Sequence, residues 1–178
     1  MIENAAAGPA AVDRLERDVL GLSGLTHVIW LEGINDLGAA HPTGDIIAGY
    51  KSVVGRLHAK GIKVYGATMT SALGLNNPAQ GWDLTNFPDF LATGDNGPRV
   101  DVNRKLLNEF IRKGGLFDGV AEFDQATLDP ATGNMKAEFV PNSQLTQLPW
   151  DYLHPNHAGY NAMGMAVDIR LFAPKGHR

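Results

Sequence analysis

The sequence contains no cysteine. Disulfide bonds, thiolate nucleophiles and cysteine-ligated zinc are therefore excluded, while the compartment stays open because a disulfide-free chain suits either side of a membrane. It also lacks any cluster of basic residues, and its 15 Lys and Arg against 19 Asp and Glu give a formal charge of −4. Nucleic acid and anionic membrane surfaces are accordingly poor fits as partners. Apolar runs are short, well below the roughly 20 residues of a transmembrane helix, so no membrane span is expected. The stretch from Met1 to Pro9 has no basic segment followed by an apolar one, and no secretory signal is expected there. Internal repeats and low-complexity tracts are missing as well. What is present is a chain of 178 residues, 44% hydrophobic, which suits a single domain over 1–178 with its own core.

The hydrophobic pattern alternates between two periods. Val12, Leu15, Val19 and Leu20 predict an amphipathic helix over 9–22, ended by Gly21 and Gly24. His27 to Glu32 is a short apolar run of the kind that forms a strand buried on both faces. Gly33 to Gly38 is expected to be a loop. A helix is predicted over 45–60 from Ile46, Ile47, Tyr50, Val53, Val54 and Leu57, opened by Asp45 and closed by Gly61. Ile62 to Thr70 makes a second strand. A third helix is expected over 100–113 with Val102, Leu106, Phe110 and Ile111 as its apolar residues, and a third strand over 119–124. Two long polar or irregular segments, 71–98 and 125–153, separate these elements, and a last helix is expected over 156–172. Helices alternating with strands call for parallel strands joined by right-handed crossovers, hence an α/β domain. Ligands bind such sheets beyond the carboxyl ends of the strands, where Gly33–Asp36, Thr68–Ser71 and Asp124 fall.

Two short stretches carry chemistry. Asp151 and His154 stand three residues apart, ahead of Pro155 and a helix. A turn of that length can set the carboxylate against one imidazole nitrogen and leave the other facing a cleft, the carboxylate fixing the tautomer and stabilising the imidazolium. The same spacing also describes a helix-opening turn in which Asp caps and His is solvated. Gly33, Ile34, Asn35 and Asp36 follow a strand, where an Asn amide can donate to a developing oxyanion and glycine lets the backbone turn. An ordinary Asn-Asp turn is the plainer alternative. His154 and His157 have poor metal spacing with a proline between them and no third ligand in view, so no metal is expected. No glycine-rich phosphate loop is present.

Taken together and in order, Trp30 to Asp36 and Asp151 to Asn156 resemble the third and fifth blocks of the SGNH (GDSL-type) ester hydrolases, with Lys63 to Thr70 similar to a strand between them. The resemblance spans about residues 10–172. It implies a three-layer, flavodoxin-like sandwich on a parallel sheet, with small acyl or carbohydrate acetyl esters as substrates and no cofactor. It also implies His154 as general base, Asp151 as its orienting carboxylate and Asn35 as oxyanion donor. The block that carries the family's serine nucleophile has no counterpart here, so the resemblance implies an N-terminally truncated member that matches the C-terminal portion. Ser71, at the end of a strand near Thr68 and Thr70, is the best-placed alternative hydroxyl; Ser23 falls in a turn at the wrong end of the following strand, and Ser52 and Ser143 have no supporting motif. Water activated by His154 is a third route, and a catalytically inactive remnant serving as a binding or assembly module is the alternative function. Trp82, Phe87, Phe90 and Trp150 are candidate pocket walls. Without a neighbouring strand, the apolar His27–Glu32 strand would be a sheet edge, and a homodimer or higher homo-oligomer, or the helix over 9–22, is expected to cover it.

Overall fold

The computed structural model describes residues 1–2, 8–74, 96–140 and 153–172, with the backbone alone at 96–98. Helix α1 (Ala11–Leu15) runs on into a π-helical turn, Glu16–Leu20, and leads to strand β1 (His27–Trp30). Helix α2 (Ile34–Gly38) and helix α3 (Thr43–Ala59) follow, then strand β2 (Lys63–Ala67). Helix α4 (Asn96–Lys113) precedes strand β3 (Gly119–Ala121) and the short helix α5 (Phe123–Thr127). A 3₁₀ turn at Ala137–Phe139, helix α6 (His157–Met165) and a 3₁₀ turn at Ile169–Phe172 complete the described elements.

The three strands form one parallel sheet in the order β1-β2-β3. His27 to Trp30 pair in register with Lys63 to Gly66, and Tyr65 to Ala67 with Gly119 to Ala121. Parallel neighbours need long crossovers, and α3 and α4 are those crossovers. Side chains alternate across β2 as the pleat requires. Val64 faces the main core, where Trp30, Ile46, Tyr50, Val53, Val54, Leu57, Leu107 and Ile111 gather. Each such fully buried aliphatic side chain contributes about 1.5–3 kcal/mol. Gly66 points the same way, and a Cβ there would lie 2.8 Å from Ile111 and Phe117, so α4 can approach the sheet only because the residue is glycine. On the opposite face Tyr65 donates its hydroxyl to the Leu171 carbonyl at 2.7 Å and meets Phe172 edge-on at 5.0 Å. Ala67, Ala121, Phe123 and Met163 form a second, smaller core there.

The architecture is therefore the expected α/β parallel sheet flanked by helices, and local differences have physical causes. Residues 34–38 form one helical turn rather than a loop, because Gly33 adopts φ +117° and turns the chain directly into α2. Helix α3 opens at Thr43 behind Pro42, not at Asp45, which lies within its first turn. The apolar face of α4 is also rotated from the expected one. Val102 and Leu106 are exposed, while Val100, Leu107 and Ile111 are buried with Asp101, Arg104 and Asn108 among them. Polar residues that satisfy one another inside the core hid that face from a hydrophobicity pattern. Among the described residues, no helix is long and apolar enough to cross a membrane. Among the described residues, strand β1 is an edge of the sheet; Leu15 and Val19 line a groove against it, and Ile29 and Leu31 remain about 40% exposed.

Candidate functional site

Three segments of chain converge beyond the carboxyl end of the sheet. Leu31 to Asn35 leave β1, Met69 and Thr70 leave β2, and Leu153 to Pro155 lead into α6. Together with Tyr160 and Met163 they line a cleft of about 220 Å³. Its floor and walls are apolar, with a few convergent polar groups, as is usual for small-molecule sites.

The first segment is locked by glycine and tyrosine. Tyr50 on α3 donates its hydroxyl to the Glu32 carbonyl at 2.6 Å. Burial, and then the negative charges of Asp36 and Glu32, push this phenol well above its ordinary range, so it stays a donor. A Cβ on Gly33 would lie 2.6 Å from that hydroxyl, at a φ that L-residues rarely adopt. Asn35 is exposed at the start of α2, whereas Asp36 is fully buried. The Ile2 N–H donates to Asp36 Oδ1 at 2.7 Å, and the Met1 nitrogen lies 3.0 Å from Oδ2. At the other end of α2, Arg99 donates to the carbonyls of Leu37 and Gly38 at 3.0 and 3.3 Å. Gly33→Ala is expected to cost roughly 1–3 kcal/mol through backbone strain alone, and more through the clash; urea denaturation measures it.

The second segment is held from beneath. Thr68 is buried and donates to Asp124 Oδ1 at 2.9 Å, while its Oγ accepts from the Asp124 N–H at 3.1 Å. Burial pushes the Asp124 carboxyl up, but hydrogen bonds from Arg112 and Thr68 outweigh this and leave it below the usual range. Ser71, the alternative hydroxyl, is also buried. It donates to the Gly133 carbonyl at 2.7 Å and accepts from the Leu73 N–H at 3.3 Å, and it does not line the cleft. Thr70 does line it, and among the described residues Thr70 and Tyr160 supply the cleft's only side-chain hydroxyls.

The third segment holds His154 in an exposed position ahead of a well-anchored cap. Asn156 caps α6 by accepting from the Gly159 N–H at 3.1 Å. Its amide donates to the Glu138 carbonyl and its backbone N–H to the Phe139 carbonyl, both at 2.8 Å. Pro155 is buried between these anchors. Asn35 and His154 thus line one cleft although they are far apart in sequence. Asp151, Trp82, Phe87, Phe90, Trp150 and Ser143 lie outside the described residues. Among the described residues, no group of three His, Cys, Asp or Glu side chains could hold a metal ion. Sequence reasoning missed Tyr160 and Met163, which reach the cleft from α6, and Asn108 and Arg104, which lie behind it. Polar residues at helical spacing within the apolar stripe of α4 were the available signal for the latter pair.

Comparison with known proteins gives a consistent result. The GDSL-like lipase/acylhydrolase family model matches residues 2–162. The fold is similar to that of a GDSL-like lipase from Bacteroides thetaiotaomicron VPI-5482, with a TM-score of 0.64 and 16% identity over 90% of this chain and 68% of that one. It is similar also to a protein from Bacteroides fragilis NCTC 9343 described as a candidate acylhydrolase, with a TM-score of 0.65 and 16% identity over 90% of this chain and 67% of that one. No curated protein matches the sequence at a significant level.

Proposed function

The chain belongs to the GDSL-like lipase/acylhydrolase family, and from that premise we propose that it hydrolyses small carboxylic esters, acyl or carbohydrate acetyl, with His154 as general base. Asp151 orients the imidazole and Asn35 donates to the oxyanion. What supports the assignment is the single cleft that Asn35 and His154 both line.

The steps follow from these groups. His154 takes a proton from the attacking oxygen as that oxygen bonds to the ester carbonyl carbon. Charge developing on the carbonyl oxygen meets the Asn35 amide N–H. Collapse of the tetrahedral species breaks the bond to the alcohol oxygen, which leaves with the proton from His154. If the attacking oxygen belongs to water, the acid is released at once. If it belongs to a hydroxyl group, a second round with water frees the acyl group. Ser71 is not that hydroxyl in this arrangement, since its Oγ is buried and engaged.

The test is turnover of p-nitrophenyl acetate by the wild type and by Asn35→Ala, whose kcat is expected to fall by about 10²-fold or more. An unchanged kcat removes Asn35 from the mechanism. Labelling with a fluorophosphonate, followed by peptide mapping, identifies any activated hydroxyl. A second reading, a non-catalytic binding or assembly module, is favoured by one observation: no serine lines the cleft among the described residues. Wild-type protein that neither turns over ester nor takes the label would establish that reading.

Self-association through β1 belongs to the same proposal. Ile29 on β1 and Leu31 just beyond it are exposed where, among the described residues, the sheet has an edge, the arrangement that invites strand pairing. Sedimentation at micromolar concentration is expected to show a dimer or larger species, and a monomer would refute this part.

A further inference from the structure

We infer that Asn108 and Arg104 of α4 are positioning residues for the cleft, acting on the His154 turn through Met69 and Thr70; the inference rests on the reading of His154 as the base. The Asn108 carboxamide binds both polar atoms of the Met69 backbone. Its Oδ1 accepts from the Met69 N–H at 2.8 Å and its Nδ2 donates to the Met69 carbonyl at 2.9 Å. Arg104 Nη1 gives that carbonyl a second donor at 2.9 Å. Met69 lies two residues past the end of β2, yet its peptide groups have the partners that a neighbouring strand would supply.

The clamp is itself fixed. Asn108 Nδ2 lies 3.0 Å from Asp124 Oδ2, and Arg104 Nε donates to Asp101 Oδ1 at 2.8 Å. Asn108 is 1% and Arg104 2% exposed. Burying a guanidinium is costly unless its donors are well used, and apolar packing would hold a loop whose position mattered less. What this loop presents is Thr70. The Thr70 hydroxyl donates to the Leu153 carbonyl at 3.4 Å, and Leu153 immediately precedes His154. That distance is at the long end of hydrogen bonding, so a displacement of a few tenths of an ångström forfeits the contact. The rigid hold on Met69 keeps it within reach. A chain of contacts therefore runs from the buried face of α4 to the turn that carries the imidazole.

The test compares full-length wild type with Thr70→Val, Thr70→Ser and Asn108→Ala. Valine keeps the shape of threonine and loses the donor, and serine keeps the donor. The first readout needs no turnover: the His154 ring resonances, assigned by their absence from His154→Ala, are followed across pH by NMR. Thr70→Val and Asn108→Ala are expected to displace the His154 titration curve, with Thr70→Ser returning it to the wild-type position. On p-nitrophenyl acetate, Thr70→Val is expected to lower kcat by about tenfold with KM little changed, as misplacement of a reacting group does. A His154 curve that Thr70→Val leaves unmoved overturns the inference, even if Asn108→Ala fails to fold. Absence of turnover in the wild type would instead refute the hydrolase assignment, and the resonance comparison would still decide the coupling.

Discussion

Replacing His154 with alanine is expected to lower kcat on p-nitrophenyl acetate by on the order of 10²–10⁴-fold, the range that a positioned general base supplies. At 1.36 kcal/mol per tenfold, this corresponds to roughly 3–5 kcal/mol of transition-state stabilisation. The loss should be confined to chemistry. His154 is exposed, and the turn that carries it is anchored by the buried Pro155 and by the hydrogen bonds of Asn156. Exposed substitutions away from caps and cores usually change stability by about 0.5 kcal/mol or less, so the urea midpoint should barely move. KM should also change little, because a base that works only as the proton moves contributes to the transition state and not to ground-state binding. Two further results belong to the same experiment. The acid limb of the pH–rate profile should vanish with the imidazole, and added free imidazole should restore part of the rate. Turnover equal to wild type in His154→Ala would mean that another base operates.

How far the sequence alone leads depends on where each kind of information resides. The helix–strand alternation was legible because the core residues of α3 recur at the helical period, and because β1 and β2 are short apolar runs, β1 ending ahead of Gly33 and β2 opening after Gly61. Their parallel order then followed from connectivity. Asn35 and His154 were legible as candidates because each sits in a short motif at an element boundary, where turn chemistry and function restrict residue choice together. Helix α2 was not, since its one turn is set by the positive φ of Gly33 and by the Tyr50 hydroxyl from another helix. The buried face of α4 was misread for a related reason. Asp101, Arg104 and Asn108 count as surface residues in any hydrophobicity pattern, yet they are buried because Asp101 and Arg104 find partners in each other and on β2's exit loop, and Asn108 on that loop and on Asp124. Tyr160 and Met163 escaped notice because a helix that reaches the cleft from the far end of the chain leaves no local signature. Long-range polar partnership is a property of the folded chain, and it appears only when the two partners are seen side by side.

That partnership makes Arg104→Met the substitution with the largest expected effect on stability. Arg104 is 2% exposed and Asp101 1%; Nε and Nη2 both lie 2.8 Å from Asp101 Oδ1, and Nη1 serves the Met69 carbonyl. Removing the guanidinium leaves a buried carboxylate with Lys105 as its remaining cationic partner, at 2.8 Å. Breaking such a pair from one side costs about 3–5 kcal/mol, much of it the penalty on the charge left behind. With a urea dependence of about 1–3 kcal/mol per molar, the midpoint should fall by at least about 1 M. Because the penalty belongs to the orphaned carboxylate, Asp101→Asn added to Arg104→Met should recover part of the loss, so the two changes are not additive. The pH dependence has a definite sign. Burial pushes the Asp101 carboxyl up, but hydrogen bonds from Lys105 and Arg104, the charge of Arg104 and the Ala72 N–H bring it below its ordinary value. A carboxyl with a lower pKa folded than unfolded makes the unfolded chain the stronger proton binder, so stability rises with pH. The contribution is fully present above the unfolded value of about 3.9 and is lost as pH falls through the lower folded one. In Arg104→Met the carboxyl loses that support, and the acid-side slope of stability against pH should flatten. A variant that keeps both the wild-type midpoint and the wild-type slope would show that the buried pair does not hold α4 to the sheet, and that apolar contacts from Val100, Leu107 and Ile111 suffice.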